Sequence, residues 1–584
     1  MSSLLCFLFC ACVSAAGPFF DVVLFGATSN LAQKYLFQSL FTLSAESQDS
    51  LTVFAVGRAP VATWAPRLHA LVLANTTCDR PATPRCASAR ADFASRVVRP
   101  ASVIDDAATA TLSAELVESA ARPGWAGRVI YFAVASDVAP PLLSALAAHV
   151  DVRNARTRIV IEKPVGSNRA SAGEILDALS AHVDKSAILL VDHFLAKAGL
   201  ALGAGLRSAL AASSVRWRGA LSAPVLTEAL ALEKEDCAGR DSYYNSAGAA
   251  RDMLLTHMSL AAVAALQSTS AVSISTATRA GVLAGLKLAR TPTTGRVFAL
   301  GGEYRGAAAH GLSGPGRTTA AGVNFESGGA RVTFATAKAT RQKTTTVRQV
   351  LTISADGEGV AAEAAARAAC GPLTLTLHIQ GELLAPSAAL AAAVAALHIP
   401  EGAPSVLITG LCGAVRVALG DPRAAFAASS ALTALVGGEG SKWTFREDPK
   451  SGLWAVSLVS RPLSVDSILR AVDLRGARGA GVEETSSVEA RLNALAVLPA
   501  VTGGDAYTSS IAAALVGALD RFISPQETDR LWQIWEGAIE TLDADTASIS
   551  QYNSSSLPAW LVPEEIGSTM SSFSTTDAQA VPDL

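Results

Sequence analysis

The hydrophobic pattern between residues 20 and 200 alternates between short apolar runs and segments with a helical period. Apolar runs of strand length occur at 20–25, 50–58, 128–134, 157–164 and 187–191. Helical patterns lie between them, around residues 138–149 and 170–182. Strands that alternate with helices predict a parallel sheet with helices on both of its faces.

The pattern changes beyond about residue 200, where strand-like segments follow one another without regular helices. We expect strands at 283–289, 330–335 and 347–353, and a helix that ends near Leu266 and carries Met253, His257 and Leu260 on one face. This irregular order is typical of an α+β domain with a large antiparallel sheet. The predicted organisation is an α/β domain at 17–198, an α+β domain at 199–565 and a disordered tail at 566–584.

Length and composition agree with two or more soluble domains. The chain has 584 residues, of which 50% are hydrophobic and 17% charged, and its formal net charge is -3. This charge gives no electrostatic reason to expect nucleic acid or anionic lipid as a partner. No run of 18 residues after the N-terminus is apolar enough to predict a membrane span.

The N-terminal residues 1–16 have the proportions of a secretory signal peptide, with an apolar stretch followed by small residues and a plausible cleavage point after Ala15. The usual positive charge is missing, because no Lys or Arg precedes Lys34. Five cysteines would remain after cleavage of the signal peptide. An oxidising compartment would allow Cys78 and Cys86 to form a disulfide across their loop, whereas in a reducing compartment all five would be free thiols.

A turn at Gly26 joins the first strand to a helix, which is the form of a dinucleotide site because a helix N-terminus offers free N–H groups to a pyrophosphate. The candidate cofactor residues are Gly26, Ala27, Thr28, Ser29, Asn30 and Leu31. Ser29 stands where a second glycine is usual, so this motif alone is weak. Arg58 ends the second strand, where it either holds the 2′-phosphate of NADP or is a solvated loop residue.

Ionisable residues gather where two later strands end. Glu162-Lys163-Pro164 closes one apolar run, and Asp192-His193 closes the next, with Lys197 four residues further on. Ligands of parallel α/β sheets bind at the carboxyl ends of the strands. These charges therefore predict a polar substrate at this edge of the sheet.

At these residues the chain resembles the glucose-6-phosphate dehydrogenase family. The resemblance rests on four blocks in the family's order: Gly-Ala-Thr-Ser-Asn-Leu-Ala-Gln-Lys-Tyr-Leu, Ile-Glu-Lys-Pro-Val-Gly, Asp-His-Phe-Leu-Ala-Lys and Gly-Arg-x-x-Tyr…Gly-x-x-Arg-Asp-x-x-x-x-His. It runs from about residue 20 to 560 and is poor between 360 and 500. The signal-like start is more similar to the endoplasmic-reticulum branch, and the chain ends without room for that branch's lactonase domain.

The resemblance implies a Rossmann-type NADP domain, with NAD as a possible substitute, and a role for each matching residue. His257 matches the general base, and Asp192 matches the carboxylate that orients it. Lys163 matches a residue that contacts both substrate and cofactor. The other implied substrate residues are His193 and Lys197 at the phosphate, and Glu233, Asp252, Lys338 and Lys343 around the sugar. The implied substrate is glucose 6-phosphate, the implied assembly is a homodimer through the antiparallel sheet, and no metal is expected.

Four departures from the family pattern bear on activity. Ser29-Asn30 replaces Gly-Asp, Phe194 replaces a tyrosine, Ala196 replaces a glycine, and Ala135-Ser136 replaces a Pro-Pro pair. The leading hypothesis is a secretory-pathway dehydrogenase of hexose 6-phosphates that uses NADP. One alternative is a catalytically weak relative that binds sugar phosphate or nucleotide; another is a sugar oxidoreductase for unphosphorylated substrates, which the cationic pair His193 and Lys197 disfavours.

Overall fold

In the computed structural model, the described part of the chain contains two β-sheets. The described residues are 19–44, 51–78, 84–197, 199–200, 202–203, 206, 219–234, 241–266, 276–290, 297, 299–305, 318–355, 373–382, 388–399, 403, 405–409, 442–448, 453–459, 506–544 and 550–553. The predicted signal peptide and the predicted tail lie outside these residues. An α/β domain thus precedes a domain with a large sheet, and the predicted fold class is confirmed.

The first sheet has six strands, all parallel, in the order β3-β2-β1-β4-β5-β6. Their bounds are β1 Phe19–Phe25, β2 Leu51–Gly57, β3 Val98–Ser102, β4 Trp125–Phe132, β5 Thr157–Glu162 and β6 Ile188–Val191. Every residue of β1 and β2 is buried, because helices cover both faces of the sheet. This explains why these strands are continuous apolar runs instead of alternating ones.

The helices of this domain are α1 Phe37–Ser44, which continues a π-helical segment Ala32–Leu36, α2 Val61–Ala74, α3 Pro84–Asp92, α4 Asp106–Ala121, α5 Ala139–Ala147 and α6 Arg169–Ser180. A helix was predicted after Gly26, and α5 and α6 lie close to the patterns predicted around 138–149 and 170–182, whereas α2, α3 and α4 were not predicted. The N-terminus of α6 is closed by a capping box, in which Asn168 accepts from the Ser171 amide and Ser171 accepts from the Asn168 amide. That cap fixes the start of the helix that follows the Glu-Lys-Pro segment.

The edge strand β3 was absent from the sequence prediction. Its five residues include Pro100, and a proline lacks the N–H group that a central strand would need. An edge position tolerates this loss, because only one side of the strand is paired.

The second sheet has eleven strands in the order β15-β16-β14-β13-β12-β7-β11-β10-β9-β17, with β8 paired to β10. Their bounds are β7 Gly219–Leu232, β8 Lys287–Leu288, β9 Ala299–Tyr304, β10 Ala320–Ser327, β11 Ala330–Ala337, β12 Thr344–Ala355, β13 Leu373–Gly381, β14 Ser405–Thr409, β15 Lys442–Asp448, β16 Leu453–Val459 and β17 Ser550–Tyr552. The pairings β7–β11 and β9–β17 are parallel, and the others are antiparallel. The sheet is therefore mixed, although mostly antiparallel as predicted.

The helices described in the second domain are α7 Asp241–Ala249, α8 Ser259–Leu266, α9 Thr276–Gly285, α10 Ala388–Ala396, α11 Ala506–Val516 and α12 Pro525–Ala544. The predicted strand at 283–289 was largely wrong, since α9 extends to Gly285 and only Lys287–Leu288 is a strand. The apolar Leu283 that suggested a strand is instead a buried helix residue. Between α7 and α8 the chain forms a π-helical segment, Ala250–Met258, so the assumed 3.6-residue face of His257 does not hold there.

The C-terminal part of the chain returns to the first domain. Ile523 makes an isolated antiparallel bridge to Leu190 of β6, with backbone N–O distances of 3.0 and 3.4 Å. Trp532 and Trp535 of α12 lie in the same hydrophobic core as β5 and β6. The carboxyl end of β6 is therefore supported by residues more than 300 positions later in the sequence.

Cys78 and Cys86 form a disulfide, which agrees with the bridge that the sequence allowed. Among the described helices, none is both long enough and apolar enough to cross a membrane.

Candidate active site

The candidate site lies at the carboxyl edge of the parallel sheet, where β5 and β6 end side by side. Glu162 is the last residue of β5 and pairs in register with Val191, the last residue of β6. Lys163 and Asp192 directly follow these two residues. The predicted strand-end charges are therefore neighbours, because parallel strands bring their carboxyl ends to one edge.

The His257 imidazole is hydrogen-bonded to the Asp192 carboxylate, with an Nδ1–Oδ1 distance of 2.7 Å. Both side chains are buried. Asp192 also accepts a hydrogen bond from the Phe194 amide at 2.8 Å, and the Phe194 ring stacks on His257 with centroids 4.3 Å apart. Because the carboxylate accepts the Nδ1 proton, the neutral ring presents Nε2 as an acceptor.

The surroundings keep this histidine neutral and this carboxylate charged. Burial lowers the pKa of His257, and Asp192 only partly compensates this effect. Burial by itself raises the pKa of Asp192, but the charge and hydrogen bond of His257, the Phe194 amide and Lys163 together bring it below its ordinary value. A neutral base beside an ionised carboxylate is the arrangement that general-base catalysis needs.

Three side chains surround the Asp252 carboxylate. Lys163 Nζ lies 3.0 Å from Asp252 Oδ1 and 2.7 Å from the Asp252 carbonyl oxygen, and Lys338 Nζ lies 3.2 Å from Oδ2. The Tyr244 hydroxyl also donates to Oδ2. Tyr244 was not singled out in the sequence, because a tyrosine eight residues from its partner carries no motif of its own. The cluster joins β5, the segment before α8, and the end of β11.

Cations and imidazole surround the place that the resemblance assigns to a phosphate. The His193 ring lies 4.5 Å from the His257 ring and stacks on Tyr507 at 5.2 Å. Lys197 Nζ donates to the side-chain carbonyl of Gln380 on β13. The sequence did not predict these two contacts, because Gln380 lies 183 residues after Lys197 and Tyr507 lies 314 residues after His193. Burial, followed by His257, Lys197 and Lys163, lowers the pKa of His193 well below its ordinary value.

Glu233 and Lys343 form a more open pair at the end of β7. Lys343 Nζ lies 3.5 Å from Glu233 Oε2, and the Glu233 backbone bonds to Ala337 and Thr340 of the neighbouring strand end. The four predicted sugar residues thus form two pairs, Lys338 with Asp252 and Lys343 with Glu233.

Glu162 is an ionisable group of the site to which the sequence analysis gave no role. It accepts a hydrogen bond from the Tyr131 hydroxyl of β4. Desolvation raises the pKa of Glu162 to about 7, against the opposing effects of Tyr131 and Lys163, and Asp192 raises it further. A second carboxyl group with a shifted pKa therefore lies beside the His257–Asp192 pair.

The turn after β1 has the geometry that a nucleotide site requires. Gly26 has φ +78°, and a Cβ there would lie 2.5 Å from the Ala133 carbonyl oxygen, so only glycine fits. Ala27 is buried and its amide bonds to Val56 O of β2. Thr28 and Asn30 are exposed, with Leu31 partly buried behind them. The turn is thus open to a ligand at its polar residues, which fits a dinucleotide.

Ser29 and Arg58 flank this turn. The Ser29 hydroxyl accepts a hydrogen bond from the Ala32 amide at 3.1 Å, so this serine acts as a helix cap in place of the usual glycine. It therefore satisfies one of the amides that a pyrophosphate would otherwise meet. Arg58 is exposed at the carboxyl end of β2, on the ligand edge of the sheet.

Asp192, His193 and His257 offer possible metal-ligand atoms within 4.8 Å of one another. Lys163 and Lys197 both act electrostatically on His193. Two cations beside the cluster disfavour a metal ion and favour an anionic ligand.

Comparison with known proteins shows which proteins this chain resembles. Residues 23–200 match the family model described as "Glucose-6-phosphate dehydrogenase, NAD binding domain". The N-terminal domain is therefore similar to the NAD binding domain of glucose-6-phosphate dehydrogenases. The GDH/6PGL endoplasmic bifunctional protein of Oryctolagus cuniculus is 31% identical over 41% of this chain and 30% of its own length. Glucose-6-phosphate 1-dehydrogenase of Gluconobacter oxydans is 31% identical over 22% of this chain and 26% of its own length.

The matched segments thus span less than a third of these two curated relatives. Solved structures of the family resemble the chain over a greater length. One glucose-6-phosphate dehydrogenase, in complex with its substrate glucose-6-phosphate, has a TM-score of 0.63 at 15% identity and covers 97% of this chain and 100% of its own. The enzyme from Mycobacterium avium has a TM-score of 0.56 at 17% identity, covering 92% and 95%. At these identities the likeness shows a shared fold for both domains.

Proposed function

We propose that this protein oxidises glucose 6-phosphate, or a related hexose 6-phosphate, at C1 to the 6-phospho-lactone, with NADP as the oxidant. The observation that carries the proposal is the buried His257–Asp192 pair, with its 2.7 Å hydrogen bond, beside the Lys163–Asp252 pair at the ligand edge of the sheet. The similarity of the N-terminal domain to glucose-6-phosphate dehydrogenases supports the same reaction.

His257 is the proposed general base. Its neutral imidazole accepts the proton of the sugar C1 hydroxyl at Nε2, while the C1–H bond breaks and its electron pair leaves as a hydride. Asp192 then faces an imidazolium ion across the Nδ1 hydrogen bond and stabilises it. Since the carboxylate is already ionised and buried, it needs no reorganisation when the positive charge forms.

The remaining side chains bind and orient the substrate. His193 and Lys197 are placed to hold the phosphate, because a dianion binds best to charged and N–H donors. Asp252 and Glu233 offer acceptors for sugar hydroxyls, and Lys338 and Lys343 form ion pairs with these carboxylates. The Phe194 ring holds the face of His257 and leaves the phosphate without the hydroxyl that a tyrosine would supply.

The nicotinamide dinucleotide would be held by the turn from Gly26 to Leu31, by Arg58 at the adenosine 2′-phosphate and by Lys163. When bound, its nicotinamide ring accepts the hydride from C1. Arg58 supports NADP over NAD, since an exposed guanidinium at the end of β2 matches a phosphate dianion and has no such partner in NAD.

The test is the increase in absorbance at 340 nm when purified protein receives glucose 6-phosphate with NADP or with NAD. His257→Asn removes the base and keeps a smaller polar amide in its place, so turnover should fall at least about 100-fold while glucose 6-phosphate still binds by calorimetry. The exposed His149→Asn is the matched control and should leave turnover unchanged. Wild-type protein that binds the sugar phosphate without any turnover would contradict the proposal.

We further propose that the protein acts in the lumen of the endoplasmic reticulum as a homodimer. The signal-like residues 1–16, the Cys78–Cys86 disulfide and the name of the rabbit relative support this compartment. Expression with microsomes tests it, because full-length protein should become resistant to added protease and protein lacking residues 1–16 should not. Light scattering of the purified protein tests the dimer.

A further inference from the structure

Ser136 stands at a position where the resemblance predicts proline, and it makes two hydrogen bonds that a proline could not make. Its hydroxyl donates to the Pro164 carbonyl oxygen at 3.0 Å and accepts from the Gly166 amide at 3.3 Å. Ser136 lies just beyond β4, and Pro164 and Gly166 lie just beyond β5. One side chain therefore ties together the two loops that leave neighbouring strands at the ligand edge.

The tied loop is the turn that carries Lys163. On its other side the Trp532 indole Nε1 of α12 donates to the Val165 carbonyl oxygen at 3.1 Å. Gly166 has φ +71°, and a Cβ there would lie 2.5 Å from the Ala172 amide nitrogen, so the turn fits closely against the start of α6. Ser136 thus contacts this turn from the loop after β4. Trp532 of α12 and the start of α6 contact the same turn.

We propose that Ser136 is a positioning residue for Lys163 and for the cofactor-facing side of the site. The Lys163 backbone precedes the carbonyl that Ser136 binds, and Lys163 Nζ reaches Asp252 by two hydrogen bonds. If the turn is released, the lysine loses its fixed direction towards Asp252. This role rests on the proposed function, because that function places both cofactor and substrate against Lys163.

The first experiment needs neither ligand nor turnover. Hydrogen exchange of the apoprotein, followed by mass spectrometry, measures the amides of the peptide that contains Val165 and Gly166. Ser136→Ala removes the acceptor of the Gly166 amide and should speed exchange of that peptide about fivefold or more. Ser144→Ala is the matched control, since Ser144 is exposed on α5 in the same segment and should leave this exchange unchanged.

The second experiment measures the effect on the site. NADPH binding followed by nucleotide fluorescence should weaken about fivefold in Ser136→Ala, and the KM for NADP should rise by a similar factor, with a smaller change in kcat. Ser136→Thr keeps the hydroxyl and should stay within about twofold of the wild type. Ser136→Val has the shape of threonine without the hydroxyl, so it should behave like Ser136→Ala and provides a second comparison if the alanine variant folds poorly.

The outcomes separate this inference from the proposed function. Unchanged exchange in Ser136→Ala, or equal NADPH affinity of the threonine and valine variants, would overturn the role of Ser136 whatever the enzyme does. A wild-type protein that binds NADPH and never turns over glucose 6-phosphate would overturn the proposed function, while the exchange and affinity differences could still support Ser136.

Discussion

At the scale of single residues, the pKa of His257 is set by two opposing effects. Burial lowers it and the Asp192 carboxylate raises it, and the burial effect is the larger. His257 is therefore neutral near pH 7, as a general base must be. The rate should rise with pH only in the acid range, as this imidazole loses its proton, and should then become level.

Asp192→Asn tests this balance. The variant loses the negative charge that raises the pKa of His257, so the acid limb of kcat/KM should move to lower pH. The maximal rate should also fall about 100-fold or more, because the imidazolium ion is no longer stabilised. The check is a pH–rate profile, and a limb that moves to higher pH would contradict the assignment.

Glu162 offers a second test at this scale, through stability. Its pKa in the folded protein is about 7, above the value of an exposed carboxyl group, so its ionisation opposes folding progressively as the pH rises from about 4.5 to 7. Glu162→Gln removes this effect and should gain stability relative to the wild type at pH 8, with little or no gain at pH 5. Thermal unfolding at both pH values measures it.

Tyr131→Phe is the matched variant for Glu162. The Tyr131 hydrogen bond lowers the pKa of Glu162, so its loss should increase the cost of ionisation. The phenylalanine variant should therefore lose more stability at pH 8 than at pH 5. Equal losses at both pH values would show that the carboxyl group titrates elsewhere.

At the scale of elements, the two ends of α2 lie at opposite edges of the parallel sheet. Its start follows Arg58 at the ligand edge, and its end leads through Asn75 to Cys78 at the opposite edge, because the helix runs antiparallel to the strands. Asn75 closes the helix by donating its side-chain amide to Leu71 O at 2.8 Å. The disulfide then joins this end to α3, far along the domain from the candidate site.

Removal of the disulfide should therefore affect stability alone. Cys78→Ser with Cys86→Ser frees a loop with a sequence separation of 8 residues, for which the chain-entropy model gives a loss of about 2.5 kcal/mol in the free energy of unfolding. Denaturant unfolding measures the loss, and calorimetry should find glucose 6-phosphate affinity within about twofold of the wild type. A large loss of affinity would show that the bridge supports the site.

At the scale of the whole molecule, α12 makes ion pairs of two kinds, a buried pair with α9 of its own domain and an exposed pair with α6 of the nucleotide domain. Arg279 and Glu527 are paired at 2.7 Å with exposed side-chain fractions of 0% and 2%, whereas Arg169 and Asp529 are paired at the same distance with 40% and 54% exposed. Arg279 also donates to the carbonyl oxygens of Asp520 and Phe522, just before the bridge to β6. The buried pair thus supports β6, the strand that Asp192 directly follows.

These two pairs give a matched prediction. Glu527→Gln leaves the Arg279 charge buried without its counter-ion and should cost about 3–5 kcal/mol. Asp529→Asn breaks an exposed pair on the same helix and should cost about 0–1 kcal/mol. Unfolding in denaturant compares them, and similar losses would mean that α12 is not anchored by the buried pair.

The sequence by itself determined five of the six strands of the nucleotide domain and the helices α5 and α6, but it did not predict α2, α3 or α4. Strands such as β1 and β2 are apolar throughout because both faces of the sheet are covered, and this leaves a local signal that needs no tertiary information. The same signal placed Lys163 and Asp192 at strand ends, and hence at one edge. It missed β3, where a proline interrupts the run, and it misread Leu283, because a buried helix residue and a strand residue are equally apolar.

Only the tertiary structure decided which distant residues complete the site. Gln380 of the second sheet accepts a hydrogen bond from Lys197, and Tyr507 of a C-terminal helix stacks on His193. Ser136 and Trp532 both form hydrogen bonds to the turn that follows Lys163. None of these contacts leaves a periodic trace, because a hydrogen bond or a stacked ring between separate elements depends on how the elements pack. The local pattern fixes where each strand ends, and the packing of the second domain against that edge fixes what the ends contact.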